Sequence, residues 1–272
     1  MRIRIVDAFT DRPFAGNPAG VLVLDGATFP ADSWMQQVAA EVNLSETAFL
    51  HPLAAGADAD WALRWFTPRV EVALCGHATL ATAHVLAHPG TVRFATRSGV
   101  LTATTAAEGL ITLDFPAAPL SPLDADPALA AALGAELLTS VWTGPNTDDV
   151  LAEVADEKTV RSLAPDFGAL GRLTGRGVIV TARAEDPGAG YDFVSRFFAP
   201  AVGVDEDPVT GSAHTALAPY WSERLGRTSL TGFQASARGG AVRVALRGDR
   251  VELSGHAVTT IDGELQVAIS TS

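Results

Sequence analysis

One short string of residues occurs twice in this chain, and the duplication restricts the fold more than any other feature. Arg64-Trp65-Phe66-Thr67-Pro68 is answered 132 positions later by Arg196-Phe197-Phe198-Ala199-Pro200. Behind each copy a glycine opens an almost wholly apolar run. The first is Cys75-Gly76-His77-Ala78-Thr79-Leu80-Ala81, and the second is Thr210-Gly211-Ser212-Ala213-His214-Thr215-Ala216. Beyond the runs, Ala95-Thr96-Arg97-Ser98-Gly99 corresponds to Ala235-Ser236-Ala237-Arg238-Gly239, 140 positions on, and a strand hairpin is predicted after both. Matches in one order around two similar segments mean two halves built to one plan.

Each half reads as strands around one helix. Alternation predicts strands over Arg2 to Phe9, Gly20 to Leu24, Glu46 to Leu50, Trp61 to Phe66, Thr91 to Thr96 and Gly99 to Phe115, the last with a turn at Glu108-Gly109. Between Asp32 and Glu41 a helix is expected, with Trp34, Met35, Val38 and Ala39 on one face and Asp32 or Ser33 as its cap. The runs after Gly76 and Gly211 are apolar all round, as in helices buried on every side. The expected fold class is therefore α+β: two pseudo-symmetric lobes, each a mainly antiparallel strand barrel around a central apolar helix. The first lobe spans 1–118, completed by a C-terminal strand near 262–272, and the second 119–272. Pro116 to Pro127 is the linker. No early Gly-x-Gly-x-x-Gly precedes a βαβ pattern, so a dinucleotide fold is not expected. Pro219, inside the second helix, is expected to kink it.

The charge balance narrows the partners. Thirty-one acidic against nineteen basic residues give a net charge of -12, with no Lys/Arg cluster, which argues against nucleic acid. No apolar run is long enough for a membrane helix, and the strand-like opening lacks the pattern of a signal peptide, so a cytoplasmic protein is expected. The single cysteine, Cys75, permits no internal disulfide. A negative protein that binds a small anion must do so locally, and helix N-termini do this without added side-chain charge.

The residues that carry chemistry follow from this. Glu46, after Ser45 and before Ala48-Phe49-Leu50, opens a strand; partial desolvation there raises a carboxyl pKa toward the range useful for proton exchange with carbon. The bland alternative is a solvated strand-end glutamate. Asp207 closes the acidic run Asp205-Glu206-Asp207, and Pro208 and Thr210-Gly211-Ser212 hold it near the second helix end; Asp205 and Glu206 are expected only to serve that helix's dipole and cap. His77, in the first turn of the first helix, is either a neutral core histidine, its pKa lowered by the helix end, or a proton carrier. Gly76, Gly211 and Ser212 are turn residues or the seat of a substrate carboxylate. His77, His84 and His88 have a spacing that metals use but no carboxylate in their segment, so no metal site is expected. Cys75 reads as a small core residue rather than a nucleophile.

These residues lie in motifs that resemble the PhzF-like proteins of phenazine biosynthesis, whose fold is that of diaminopimelate epimerase. The motifs are Val6-Asp7-Ala8-Phe9-Thr10, Phe14-Ala15-Gly16-Asn17-Pro18-Ala19-Gly20-Val21, Leu44-Ser45-Glu46-Thr47-Ala48-Phe49, Arg64 to Pro68, Leu74-Cys75-Gly76-His77-Ala78-Thr79, Glu206 to Ala213 and Arg238-Gly239-Gly240. The resemblance implies a cofactor-independent isomerase like the one that shifts a proton within trans-2,3-dihydro-3-hydroxyanthranilate. It places the acid/base glutamate on Glu46, the histidine on His77, the aspartate on Asp207 and the serine on Ser212; beside these, Ser45, Gly76 and Gly211 are expected to bind the substrate. The substrate is then a small carboxylate held between the lobes, and the protein a homodimer. Two other functions are compatible with the fold: a ligand-binding protein without catalysis, and an amino-acid epimerase. The two-thiol epimerase mechanism needs a cysteine on each side of the substrate, and this chain has one.

Overall fold

Parallel strand pairs need long crossovers, and their positions define this fold. A computed structural model of the chain describes residues 1–269 except Ala125, Asn146 and Thr174. It divides into two units, Met1–Asp114 with the chain from Ser254 onward, and Phe115–Leu253.

The first unit contains β1 (Arg2–Ala8), β2 (Asn17–Val23), α1 (Asp32–Val42), β3 (Glu46–Pro52), β4 (Trp61–Phe66), β5 (Glu71–Val72), α2 (Gly76–Leu86), β6 (Gly90–Thr96) and β7 (Gly99–Thr105). Strand β8 (Ile111–Pro116) carries the chain out of it. The second contains β9 (Ser121–Leu123), α3 (Pro127–Leu133), β10 (Thr139–Trp142), β11 (Asp149–Glu153), α4 (Glu157–Ser162), α5 (Phe167–Leu173), β12 (Gly177–Arg183), β13 (Phe193–Ala199), β14 (Val204–Asp207), α6 (Gly211–Leu225), β15 (Ser229–Gln234) and β16 (Gly240–Arg247). Strand β17 (Arg250–Gly255) leads back to the first unit, which β18 (Ala257–Glu264) completes beside β1. The returning strand thus lies earlier than the expected 262–272, of which residues 270–272 are outside the described residues. The segment expected to be a plain linker contains β9, paired antiparallel with β10.

The two units repeat one connectivity. In the first, β1/β2 is antiparallel, β2/β3 parallel, β3/β4 antiparallel, β4/β6 parallel and β6/β7 antiparallel. In the second, β10/β11, β11/β12, β12/β13, β13/β15 and β15/β16 follow the same sequence of senses. The short strands β5 and β14 pair with β4 and β13 in turn. The duplicated arginines therefore occupy matching places, and they make matching bonds. Arg64 donates from Nε and Nη2 to Glu71 at 2.8 and 2.7 Å, and Arg196 donates from the same atoms to Glu206 at 2.7 and 2.8 Å. Each guanidinium also lies over the phenylalanine two residues on, Phe66 at 5.2 Å and Phe198 at 4.8 Å. Forked, partly desolvated pairs of this kind fix the short strand that leads toward each apolar helix. Glu206 is thus bound to Arg196, where a role at the cap of the second helix had been expected.

Helix α2 has His77 to Ala83 all buried, so it presents no polar face to water. It packs on β1, β2, β3, β7 and β18, strands from both ends of its unit's strand order, so the strands wrap it. Thr79 and Thr82 occupy its interior because their hydroxyls donate to the carbonyls of Cys75 (2.6 Å) and Ala78 (2.7 Å), four residues back. In the other unit α6 is held by Trp221, stacked on Phe193 at 5.8 Å with Nε1 donating to Thr181 Oγ1 at 3.0 Å. Its Tyr220 hydroxyl donates to Glu153 at 2.7 Å. Helix α1 buries Trp34, Met35, Val38 and Ala39, as its periodicity predicts. Its cap position is Ala31, without a side-chain bond, and Asp32 instead accepts from Arg64 Nη1 at 2.8 Å.

Pro219 does not end α6, which continues to Leu225. A proline at this point leaves the carbonyl of Thr215, four residues earlier, without its helical partner. The Ala118 N–H takes that place at 3.1 Å. Pro219→Ala is accordingly expected to change stability by less than about 1 kcal/mol, against the ~3 kcal/mol of an uncompensated interior proline. Urea unfolding measures this, and a gain near the larger figure would show that the Ala118 bond contributes nothing.

Candidate active site

The turn Gly16-Asn17-Pro18 sets the first part of the site. Gly16 has φ +64, and a Cβ there would stand 2.1 Å from the Ala8 carbonyl oxygen, so only glycine lets the chain double back tightly enough to start β2 at Asn17. Asn17 is fully buried, and its Nδ2 lies 3.2 Å from His77 Nδ1. Cys75 Sγ lies 3.5 Å from the same ring nitrogen. On the other side of the ring, His77 Nε2 is 3.2 Å from Glu46 Oε2, close enough for proton transfer although too bent for a well-aligned hydrogen bond. Strand β3 begins at Glu46, beside Ala19 of β2, so the turn and the strand start jointly deliver Asn17 and Glu46 to the mouth of α2.

The protonation pattern of this chain follows from its donors. An amide nitrogen can only donate, so His77 Nδ1 accepts from Asn17 and the ring proton stands on Nε2, the nitrogen nearer Glu46. Burial pushes the His77 pKa down to about 3, so the ring is neutral at physiological pH. Neutrality was expected from the helix end; its cause is desolvation. The Glu46 side chain keeps 18% exposure against 5% for His77, so the carboxylate is the member of the pair that a substrate can reach.

Glu46, Cys75 and His77 also form a group whose ligand-type atoms all lie within 4.8 Å of one another. The sulfur lies against Nδ1 and the carboxylate against Nε2, on opposite sides of the ring. A single ion bound by either nitrogen would lose the ligand beside the other, so the arrangement suits a proton chain better than a metal.

In the second unit Asp207 ends β14 and accepts from Thr210 Oγ1 at 2.5 Å. Gln234, fully buried at the end of β15, ties this loop together. Its Oε1 accepts from Thr210 N at 2.8 Å, and its Nε2 donates to the Asp207 carbonyl at 2.7 Å and to Thr210 Oγ1 at 3.1 Å. Sequence reasoning missed Gln234. The signal was available, since Leu230, Gly232 and Gln234 alternate inward along a strand and a polar side chain among inward positions needs buried partners. Helix α6 starts at Gly211 with Ser212 next, and its cap position Thr210 makes no side-chain bond to the first turn. The cap position of α2, Cys75, makes none either. Both helices therefore keep first-turn N–H groups that no capping side chain satisfies.

The residues named from sequence thus fall into two sets. Glu46, Gly76 and His77 come together in the first unit, with Ser45 half-buried just ahead of Glu46; Asp207, Gly211 and Ser212 come together in the second. Asn17, Gln234 and Arg176, which donates to Ser212 Oγ, are additions from the structure.

The fold is one that this chain shares with racemases and epimerases. A hydroxyproline epimerase of Agrobacterium vitis shares this fold at a TM-score of 0.61 and 14% identity, covering 97% of this chain and 91% of that one. The family is narrower: the family model described as phenazine biosynthesis-like protein matches residues 6–263, and the chain belongs to that PhzC-PhzF family. A Pseudomonas aeruginosa protein named an uncharacterized isomerase is 52% identical, over 97% of each chain. The crystal structure of a PhzF family protein from Enterococcus faecalis superposes with a TM-score of 0.89 at 42% identity, covering 98% of this chain and 99% of that one. Among the described residues no helix is long and apolar enough to cross a membrane.

Proposed function

We propose that the protein is an isomerase that moves a proton on a small carboxylated substrate, with Glu46 as the acid/base group. His77 and Asp207 assist, and Ser45, Gly76, Gly211 and Ser212 bind the substrate carboxylate. The substrate class is that of trans-2,3-dihydro-3-hydroxyanthranilate, a cyclic or amino-acid-like carboxylate. The observation that carries this reading is the buried chain from Asn17 through His77 to the partly exposed Glu46. A neutral imidazole beside a carboxylate assists it without adding charge: Glu46 takes a proton from carbon and returns one elsewhere on the substrate, with the His77 ring 3.2 Å away. The shift is redox-neutral and asks for no electron carrier. Relatives named as isomerases support it.

Incubation of the purified protein with a pool of small carboxylates in heavy water, read by mass spectrometry, tests the reading. Catalysed uptake of deuterium at carbon in one compound is expected. Binding without uptake in any compound would replace it with the ligand-binding alternative.

A further inference from the structure

Ser212 is held by a charged pair that sequence reasoning did not find. Arg176, just ahead of β12, donates to Ser212 Oγ from both Nη1 and Nη2, each at 3.0 Å. The same guanidinium donates from Nε to Asp149 Oδ1 at 2.9 Å and from Nη2 to Asp149 Oδ2, and it lies over the Phe197 ring at 5.1 Å. Asp149 is fully buried at the start of β11, where its own N–H is tied to Thr143 Oγ1 at 3.0 Å. The arginine is therefore fixed by its fork on a buried carboxylate and by the aromatic face beneath it.

The consequence lies in the lone pairs of one oxygen. A serine hydroxyl has two acceptor lone pairs and one donor hydrogen. Two guanidinium N–H groups aimed at Ser212 Oγ occupy the acceptors, so the hydroxyl is left able only to donate. Among the described residues no acceptor takes that hydrogen, the Thr215 hydroxyl being bound to the Ser212 carbonyl instead. We infer that Arg176 is a positioning residue that makes Ser212 a pure hydrogen-bond donor, so that the seat selects an anionic carboxylate oxygen over a neutral carboxamide. A carboxamide nitrogen would bring a second donor against the hydroxyl hydrogen, and its oxygen is the weaker acceptor. The inference rests on the proposed carboxylate seat and adds the means by which that seat discriminates.

The test compares the affinities of benzoate and benzamide by calorimetry in the wild type and in Ser212→Ala, Arg176→Lys, Arg176→Met/Asp149→Leu and Ser212→Ala/Arg176→Lys, each confirmed folded by circular dichroism. Lysine keeps a charge for Asp149 but lacks the fork, and the Met/Leu pair removes both charges, so one variant remains informative if the other fails to fold. Wild type is expected to prefer benzoate, and Ser212→Ala and both Arg176 variants to lower that preference by about ten-fold, the size of one charge-assisted hydrogen bond. Ser212→Ala/Arg176→Lys should lose no more than Ser212→Ala alone. A wild type without the preference, Arg176 variants that keep it, or additive losses in the double variant would each overturn the inference. Deuterium exchange is independent of this readout: preference without exchange removes the isomerase reading and leaves the role of Arg176 standing.

Discussion

Glu46→Gln is expected to lower carbon-proton exchange by roughly 10²- to 10⁴-fold while leaving carboxylate affinity nearly unchanged. The amide keeps the shape of the side chain and can still meet His77, but it cannot take a proton from carbon. Because Nε2 of His77 is the protonated nitrogen in the native arrangement, the glutamine is expected to settle with its oxygen toward the ring. Gly211→Val should behave in the opposite sense, weakening binding first, since a branched side chain at the first residue of α6 blocks approach to the backbone donors. Deuterium uptake and ligand affinity measured on both variants separate the two. Exchange at the wild-type rate in Glu46→Gln would make Glu46 a structural residue.

Acid is expected to unfold this protein through its buried histidines. His77 and His214 are both pushed down by burial, to about 3 and about 4, below the ordinary value of 6.5. Above pH 6.5 each ring is neutral in the folded and the unfolded chain, and pH has no purchase on either. Below 6.5 the unfolded chain binds protons that the folded chain refuses, so stability falls as pH falls, until the folded pKa is reached. The loss is about 1.4 kcal/mol per pH unit for each histidine. Below pH 6 it is partly offset by Asp149, whose carboxyl burial pushes up to about 6, so that over this range the folded chain takes up a proton that the unfolded chain does not. Urea unfolding at pH 7, 6 and 5 reads the slope, and His77→Asn should reduce it by about one proton. Equal slopes in the variant and the wild type would mean that His77 titrates normally in the folded chain.

The internal repeat was legible because it is a property of residue order. Arg64 and Arg196 recur with their following aromatics, and the matched register of β4 and β13 turns that recurrence into matched ion pairs and ring contacts. Most strands of the first unit and the two buried helices were legible for a similar reason, since alternation and all-round apolar character are local; β2, expected from Gly20, begins at Asn17. Gly16 could be read as a turn, although the 2.1 Å approach that requires glycine there depends on Ala8 in the neighbouring strand.

What sequence alone could not supply were the partners of the polar groups. Whether Glu206 serves a helix end or an arginine, and whether Asp32 caps its own helix or meets Arg64, depends on which strands become neighbours. Pro219 breaks a rule that holds for an isolated helix, and it is tolerated because Ala118, about a hundred residues away in the chain, brings an N–H to the orphaned carbonyl. Asn17, Gln234 and Arg176 were invisible for the same reason. A hydrogen bond is decided by distance and direction, and for residues 60, 24 and 36 positions from their partners those are set only when the strands pair. The sequence by itself determined the repeat, most elements of the first unit and the residue types at the helix mouths; tertiary structure decided the partners of those residues and the neutral state of His77, because burial and donor geometry exist only in the folded chain.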